Sequence, residues 1–224
     1  MRKWGIVAVV LLALAPGASG YYFFVEYLSS SQPFEPVYWK FDLNSLPNRT
    51  VPVLIAGEGP VAQAPGDSFA ALVTQIQLAA RTWNDVPSSA LRVSFGGFFT
   101  PGTPHSTPVI EVVFDELPPG VVALGGPTRP LQRPDAVASE TGPFIPILRS
   151  TVVLGRDLSN RVSWSEAFFL SLVHEFGHTL GLQHSLTSSV MSTEVTRATT
   201  KSRPLAADDI AGISLLYPVN GTAA

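Results

Sequence analysis

The sequence predicts one α+β domain (or an α/β domain) with a mixed sheet, and three observations carry that reading. Strand-like runs fill the first two thirds of the chain, amphipathic helical patterns punctuate them, and the residues suited to chemistry fall on a helix near the carboxy end. At 224 residues, 46% of them apolar and 14% charged, the chain can bury one sizeable core with little left for a second.

The amino terminus comes first. Arg2 and Lys3 precede an apolar run from Trp4 to Ala15, and Pro16, Gly17, Ala18, Ser19 and Gly20 follow. This is the charged, apolar, small order of a secretory signal over residues 1–20, with cleavage after Ala18 or Gly20. An uncleaved anchor is the alternative, because no charge appears from Trp4 to Val25, although Pro16 and its glycine neighbours would interrupt such a helix. Both readings export the chain, either secreted to the extracellular space or periplasm, or membrane-anchored and facing outward. Residues 21–35 read as a lead-in segment.

Tyr38 to Phe41 and Val51 to Ala56 read as early strands, with Pro52 suggesting an edge position. From Asp67 to Trp83, Phe69, Leu72, Val73, Ile76, Ala80 and Trp83 recur every three or four residues, the stripe of a packed helix. Leu91, Val93 and Phe95 alternate with polar residues, and Val109 to Phe114 is β-rich. Proline and glycine crowd Leu117 to Pro146, which predicts loops around a short strand near Val121–Leu124. A β-branched run spans Ile147 to Leu154. Ser163-Trp164-Ser165-Glu166 reads as a capping box opening a helix to about Leu180. The last helix spans about Ala206 to Tyr217, with Asp208 and Asp209 in its first turn and Pro218 beyond it. Residues 219–224 are a tail.

Net charge is −3 with no basic stripe, which sets nucleic-acid binding aside. Cysteine is absent, so there is neither a disulfide nor a thiol nucleophile. Three of the four histidines, by contrast, fall within His174-Glu175-Phe176-Gly177-His178-Thr179-Leu180-Gly181-Leu182-Gln183-His184. Residues four apart on a helix differ by about 40° around the axis, so His174 and His178 share a face and can reach one metal ion. Gly181 stands where the helix should stop, and the turn it permits lets His184 return as a third ligand. Three nitrogens and one open position describe a catalytic zinc site rather than a structural one. Zinc acidifies water in the open position to a pKa of about 7. Glu175, offset from its neighbouring ligand around the helix, can face that water as general base.

At these residues the chain resembles the metzincin zinc endopeptidases, whose long motif runs on to a methionine-bearing turn. Met191 in Ser189-Val190-Met191-Ser192 matches that turn, and Ser185 after the third histidine is similar to the matrixin branch. The segment from Leu205 to Pro218 is similar to the closing helix of that branch. The resemblance covers residues 36–218 and is specific from about Ser171 onward. It implies a twisted five-stranded mixed sheet with three helices, and a cleft that binds a peptide or protein extended beside the strand near Val121–Leu124. It also implies a catalytic zinc, the one zinc expected here because the histidines of the family's second, structural site are missing, with Gly181 and Met191 as structural support and Met191 as an apolar floor. The loop from Ser192 to Pro204 would wall the pocket for the residue after the scissile bond. The implied activity is hydrolysis of internal peptide bonds by a monomer.

Two departures from the family stand out. A second, structural zinc would need three more histidines, and only His105, in a polar loop, remains; the sequence reads it as an ordinary surface residue. Cysteine-based latency cannot operate. Calcium would find only Asp115, Glu116 and Asp135 as candidate ligands. Asp208 and Asp209 read as supports of a helix start and its neighbouring loop, Tyr217 as a core residue in phase with Ile210 and Ile213, and Trp39 and Trp83 as core. A zinc-stabilised binding module without catalysis is the rival reading, and it leaves Glu175 without a purpose. The other is a membrane-anchored processing enzyme with one substrate.

Overall fold

The structure, a computed structural model, describes residues 20–27, 35–193 and 199–219. The signal segment up to Ser19, much of the lead-in and part of the Ser192–Pro204 loop lie outside the described residues, as does the tail past Val219. In chain order the elements are β1 (Tyr22–Phe23), β2 (Val25–Tyr27), β3 (Pro36–Lys40), β4 (Val51–Ala56), β5 (Ala62–Gln63), α1 (Phe69–Thr82), β6 (Val93–Phe99) and β7 (Val109–Asp115). They continue with β8 (Ala123–Pro127), β9 (Phe144–Pro146), β10 (Arg149–Gly155), β11 (Asp157–Leu158), α2 (Glu166–Thr179), β12 (Leu182–Gln183) and α3 (Ala207–Leu216).

Five strands form the main sheet in the order β6-β4-β7-β10-β8; the first four are parallel and β8 runs antiparallel at the edge. This is the mixed α+β architecture with three helices that the sequence predicts. Parallel neighbours need both faces covered, which is why β4 and β7 read as nearly continuous apolar runs. Pro52 does not mark an edge, however, since β4 lies inside the sheet. Pro52 pairs only with Ser94 of β6, and the β7 ladder begins one residue later at Val53, so the missing N–H falls before the doubly bonded part of the strand.

Local signals place the helices with small shifts. Ser68 caps α1 by accepting from Ala71 N at 3.2 Å. The capping box at Ser163 does not form. Ser165 is the N-cap of α2 and accepts from Phe168 N, while Ser163 donates its N–H and hydroxyl to Asp67 at 2.6 and 2.9 Å. A tertiary partner, the carboxylate just before α1, outcompetes the local one. These bonds hold the Asp67 carboxyl below its usual range, although burial opposes them. The edge strand lies at Ala123–Pro127 rather than Val121–Leu124, and β9 forms within the segment read as loop, by pairing with β3.

The lead-in residues that the structure describes are built into the fold. β1 pairs with β12 and β2 with β3. No local pattern announces strands of two or three residues; only the partner makes them.

The core lies between the sheet and the helices α1 and α2, where Leu72, Ile76, Trp83, Leu172 and Phe176 are fully buried. Trp83 locks the helix pair, its indole Nε1 donating to the Val173 carbonyl at 3.1 Å. Trp83→Ala should therefore cost about 3–5 kcal/mol of stability, read as the shift of a urea unfolding midpoint. A loss under about 1 kcal/mol would show that the helices close without this indole.

Candidate metal centre

α2 carries His174 and His178 one turn apart, both buried, while His184 follows β12 and is exposed. Their nearest ring nitrogens lie within 4.8 Å of one another, and the ring centroids stand 4.6, 4.7 and 5.2 Å apart. Among the described residues no other cluster of His, Asp or Glu has such a geometry. The expected convergence of the three histidines therefore occurs, and the turn behind it is the expected one. Gly181 has φ 107°, a region that disfavours any side chain, and a Cβ there would also strike the Trp39 carbonyl.

The hydrogen bonds test whether these rings suit a metal. His174 Nδ1 lies 2.6 Å from the Val190 carbonyl and His178 Nδ1 lies 2.9 Å from the Leu182 carbonyl. A carbonyl only accepts, so both Nδ1 atoms carry the proton and both Nε2 atoms are left with lone pairs. Those two Nε2 atoms face each other at 3.1 Å. Facing lone pairs repel unless a cation sits between them, and two nitrogens bound to one tetrahedral zinc stand about 3.3 Å apart. Burial makes a proton a poor substitute: it lowers the pKa of both rings, that of His178 to about 4, with the neighbouring imidazoles adding to the effect. The triad fits a catalytic zinc.

Glu175 is half-buried beside the cluster. Burial pushes its carboxyl up to about 7, against the pull of a hydrogen bond from Gly125 N–H on β8. A cation on the histidines would draw it back down. Gly125 went unnoticed in the sequence. A Cβ on it would overlap the Glu175 backbone, so the edge strand can lie against α2 only because this residue has none. Gly177, between the two helical histidines, is similar: a Cβ there would collide with Met191 Sδ and the Trp83 ring. Met191 is buried under the helix, where the resemblance put an apolar floor.

The turn bearing Met191 hangs from Asp209. This buried carboxylate accepts from Val190 N at 3.0 Å, Met191 N at 3.1 Å and Ala206 N at 2.7 Å, at once bracing the helix start and the neighbouring loop. Asp208 accepts from Gly20 N and from the Ser185 hydroxyl. Residues 20–24 clamp the strand that leads into His184 from both ends: Phe24 N donates to the Gly181 carbonyl and Leu186 N to the Gly20 carbonyl, each at 2.9 Å. Tyr217 is core, as expected, and not a ligand; its hydroxyl accepts from Phe41 N and donates to the Leu180 carbonyl. Ile210, by contrast, is 37% exposed and leaves that apolar stripe.

His105 is not an ordinary surface residue. Its side chain is 16% exposed, and Nε2 lies 2.8 Å from Oε1 of the buried Glu111. The ring also sits edge-on to Phe99. The loop folds back so that a carboxylate inside the sheet finds a partner. Asp115, Glu116 and Asp135 do not gather into a cation site.

Two outcomes follow. Asp209→Asn places an NH2 among three backbone donors and should lower zinc affinity about 10–100-fold, measured by competition with a chromogenic chelator. In metal-free protein, His174 and His178 resist protonation when folded but accept it near pH 6.5 when unfolded. The folded pKa is the lower one, so these two rings should cost stability as pH drops from about 6.5 towards 4; Glu175 and Asp209, whose folded pKa values are raised, act the other way, so the rings' share is read as the pH-dependent difference from a His178→Gln variant. Denaturant midpoints of chelator-stripped protein across that range check the sign.

Residues 138–218 match the family model for matrixin, a peptidase family. A search of curated proteins returned no match. Among solved structures, the chain is similar to high choriolytic enzyme 1, a hatching-enzyme zinc protease of the medaka fish Oryzias latipes, at 17% identity. That alignment covers 87% of this chain and 98% of the other, with a TM-score of 0.39. The matrixin match contains all three histidines, Glu175, Met191 and the closing helix, so over residues 138–218 the chain is similar to the matrixin peptidases.

Proposed function

We propose that the chain is an exported endopeptidase in which His174, His178 and His184 hold one zinc and Glu175 is the general base. The observation that carries this reading is that three imidazoles converge while Glu175, next to His174 on the same helix, holds a half-buried carboxylate fixed by a backbone N–H. A site serving only to hold a metal has no use for that carboxylate.

Zinc held there supplies Lewis acidity, which acidifies water and polarises a scissile carbonyl. The chain does the rest. The Val190 and Leu182 carbonyls orient the two helical imidazoles so that Nε2 faces inward. Glu175 takes the proton of the attacking water on its carboxylate and delivers it to the departing amine. β8 has a strand partner on one side only among the described residues, so its outer edge can pair with an extended substrate and aim a peptide bond at Glu175. Such backbone pairing is indifferent to side chains, which suits the cleavage of internal bonds in proteins.

Export rests on the charged–apolar–small order of residues 1–20. Among the described residues no helix is long and apolar enough to cross a membrane. We expect the active species to be a monomer, since one chain supplies all three ligands and the base.

Glu175→Gln should retain zinc and lower kcat/KM on a quenched fluorescent peptide by about 10²–10⁴-fold. His184→Ala should lose both zinc and activity. Turnover by the Gln variant at the normal rate would exclude Glu175 as the base, and full zinc occupancy without any cleavage would favour a metal-stabilised binding module.

A further inference from the structure

A second concavity lies apart from the histidine cluster. It is a cleft of about 590 Å³ between the end of β3 and the turn after it, the 137–144 hairpin and the end of α3. Two cations line it, Lys40 and Arg49, and neither has a carboxylate within ion-pair distance among the described residues.

Lys40 is half-buried. Its ammonium lies 4.6 Å from the centre of the Phe144 ring and donates to one neutral acceptor, the Leu216 carbonyl at 3.2 Å. Burial lowers its pKa, offset in part by the charge of Asp42. An ammonium with three protons and one carbonyl partner, taken partly out of water, is an incomplete arrangement. Arg49 reaches the rim through an unusual backbone. It and Asn48 are the only non-glycine residues with positive φ among those described, at 54° and 53°. Two adjacent residues in that region cost conformational energy, and such strain persists where the position of a side chain matters. The acidic groups of the cleft form no ion pair with these charges: Asp42 acts on Lys40 only from beyond ion-pair distance and accepts from Asn44 N to cap a turn, and Glu140 is exposed. Ala90, Val137 and Val219 supply apolar lining between the charged ends.

We propose that this cleft binds a small organic carboxylate with an apolar body. The carboxylate lies on Lys40 and Arg49, and the body lies along Ala90, Val137 and Val219. Ion pairing completes the hydrogen bonding of the half-buried Lys40, and the fork of Arg49 matches the two oxygens of a carboxylate. The site does not depend on the peptidase reading.

The test is calorimetric titration of the zinc-loaded full chain with hexanoate, and with hexanol as its uncharged counterpart. Saturable binding of hexanoate is expected, with affinity reduced at least about tenfold in Lys40→Gln and severalfold in Arg49→Gln. Hexanol should bind far more weakly. Absence of saturable hexanoate binding up to about 10 mM, equal binding of hexanol, or an unchanged affinity in both variants would overturn the proposal. Should Lys40→Gln fail to fold, the exposed Arg49 carries the test, and an unchanged affinity in Arg49→Gln alone then overturns it.

Discussion

The buried carboxylate of Asp209 is where the separate parts of the metal centre meet. It accepts three backbone N–H groups, two from the methionine turn and one from the residue before α3. Val190, held in this way, offers its carbonyl to His174 Nδ1 and so fixes the tautomer and tilt of that ring. Met191, held by the same carboxylate, fills the space under α2. At the far end of α3, Tyr217 bonds the carbonyl of Leu180, where α2 stops and the chain turns towards His184. A desolvated carboxylate with three donors resists displacement, because losing any one leaves charge and amide unsatisfied.

Close approach of backbones is the second constraint. The methionine turn reaches α2 at Gly177, the β3 strand reaches the helix end at Gly181, and the edge strand reaches Glu175 at Gly125. In each case a methyl group would overlap atoms already present. The Glu175 carboxylate and the open edge of β8 thus lie against each other, with Gly125 N–H directed at that carboxylate. The same tightness excludes water from the helical histidines and keeps them neutral, the form in which imidazole can ligate.

The amino-terminal strands show how the domain stabilises a histidine of the cluster that no helix carries. His184 is exposed, and the segment before it has only two residues of regular structure. Pairing with Tyr22 and Phe23, and the flanking bonds to Gly20 and Phe24, supply the order that local sequence lacks. The histidine cluster therefore draws on residues well outside its motif.

The convergence of His174, His178 and His184, the place of Glu175 among them in the chain, and the helix that bears them were legible in the sequence, because they obey local rules. Helical periodicity puts His174 and His178 on one face, and glycine alone tolerates φ 107° at the turn that returns His184. The cores of α1, α2, α3 and the long strands were legible for the same reason, since burial leaves a period of 3.6 or 2 in the residues themselves. What depended on distant partners was not. Pro52 sits inside the sheet because β7 starts pairing one residue later, and Ser163 leaves its capping role for Asp67. His105 turns inward for Glu111, and the two-residue strands exist only through their neighbours. Each of these is a choice between a local bond and a long-range one. Only the folded chain brings the long-range partner within reach, so only the tertiary structure decides it.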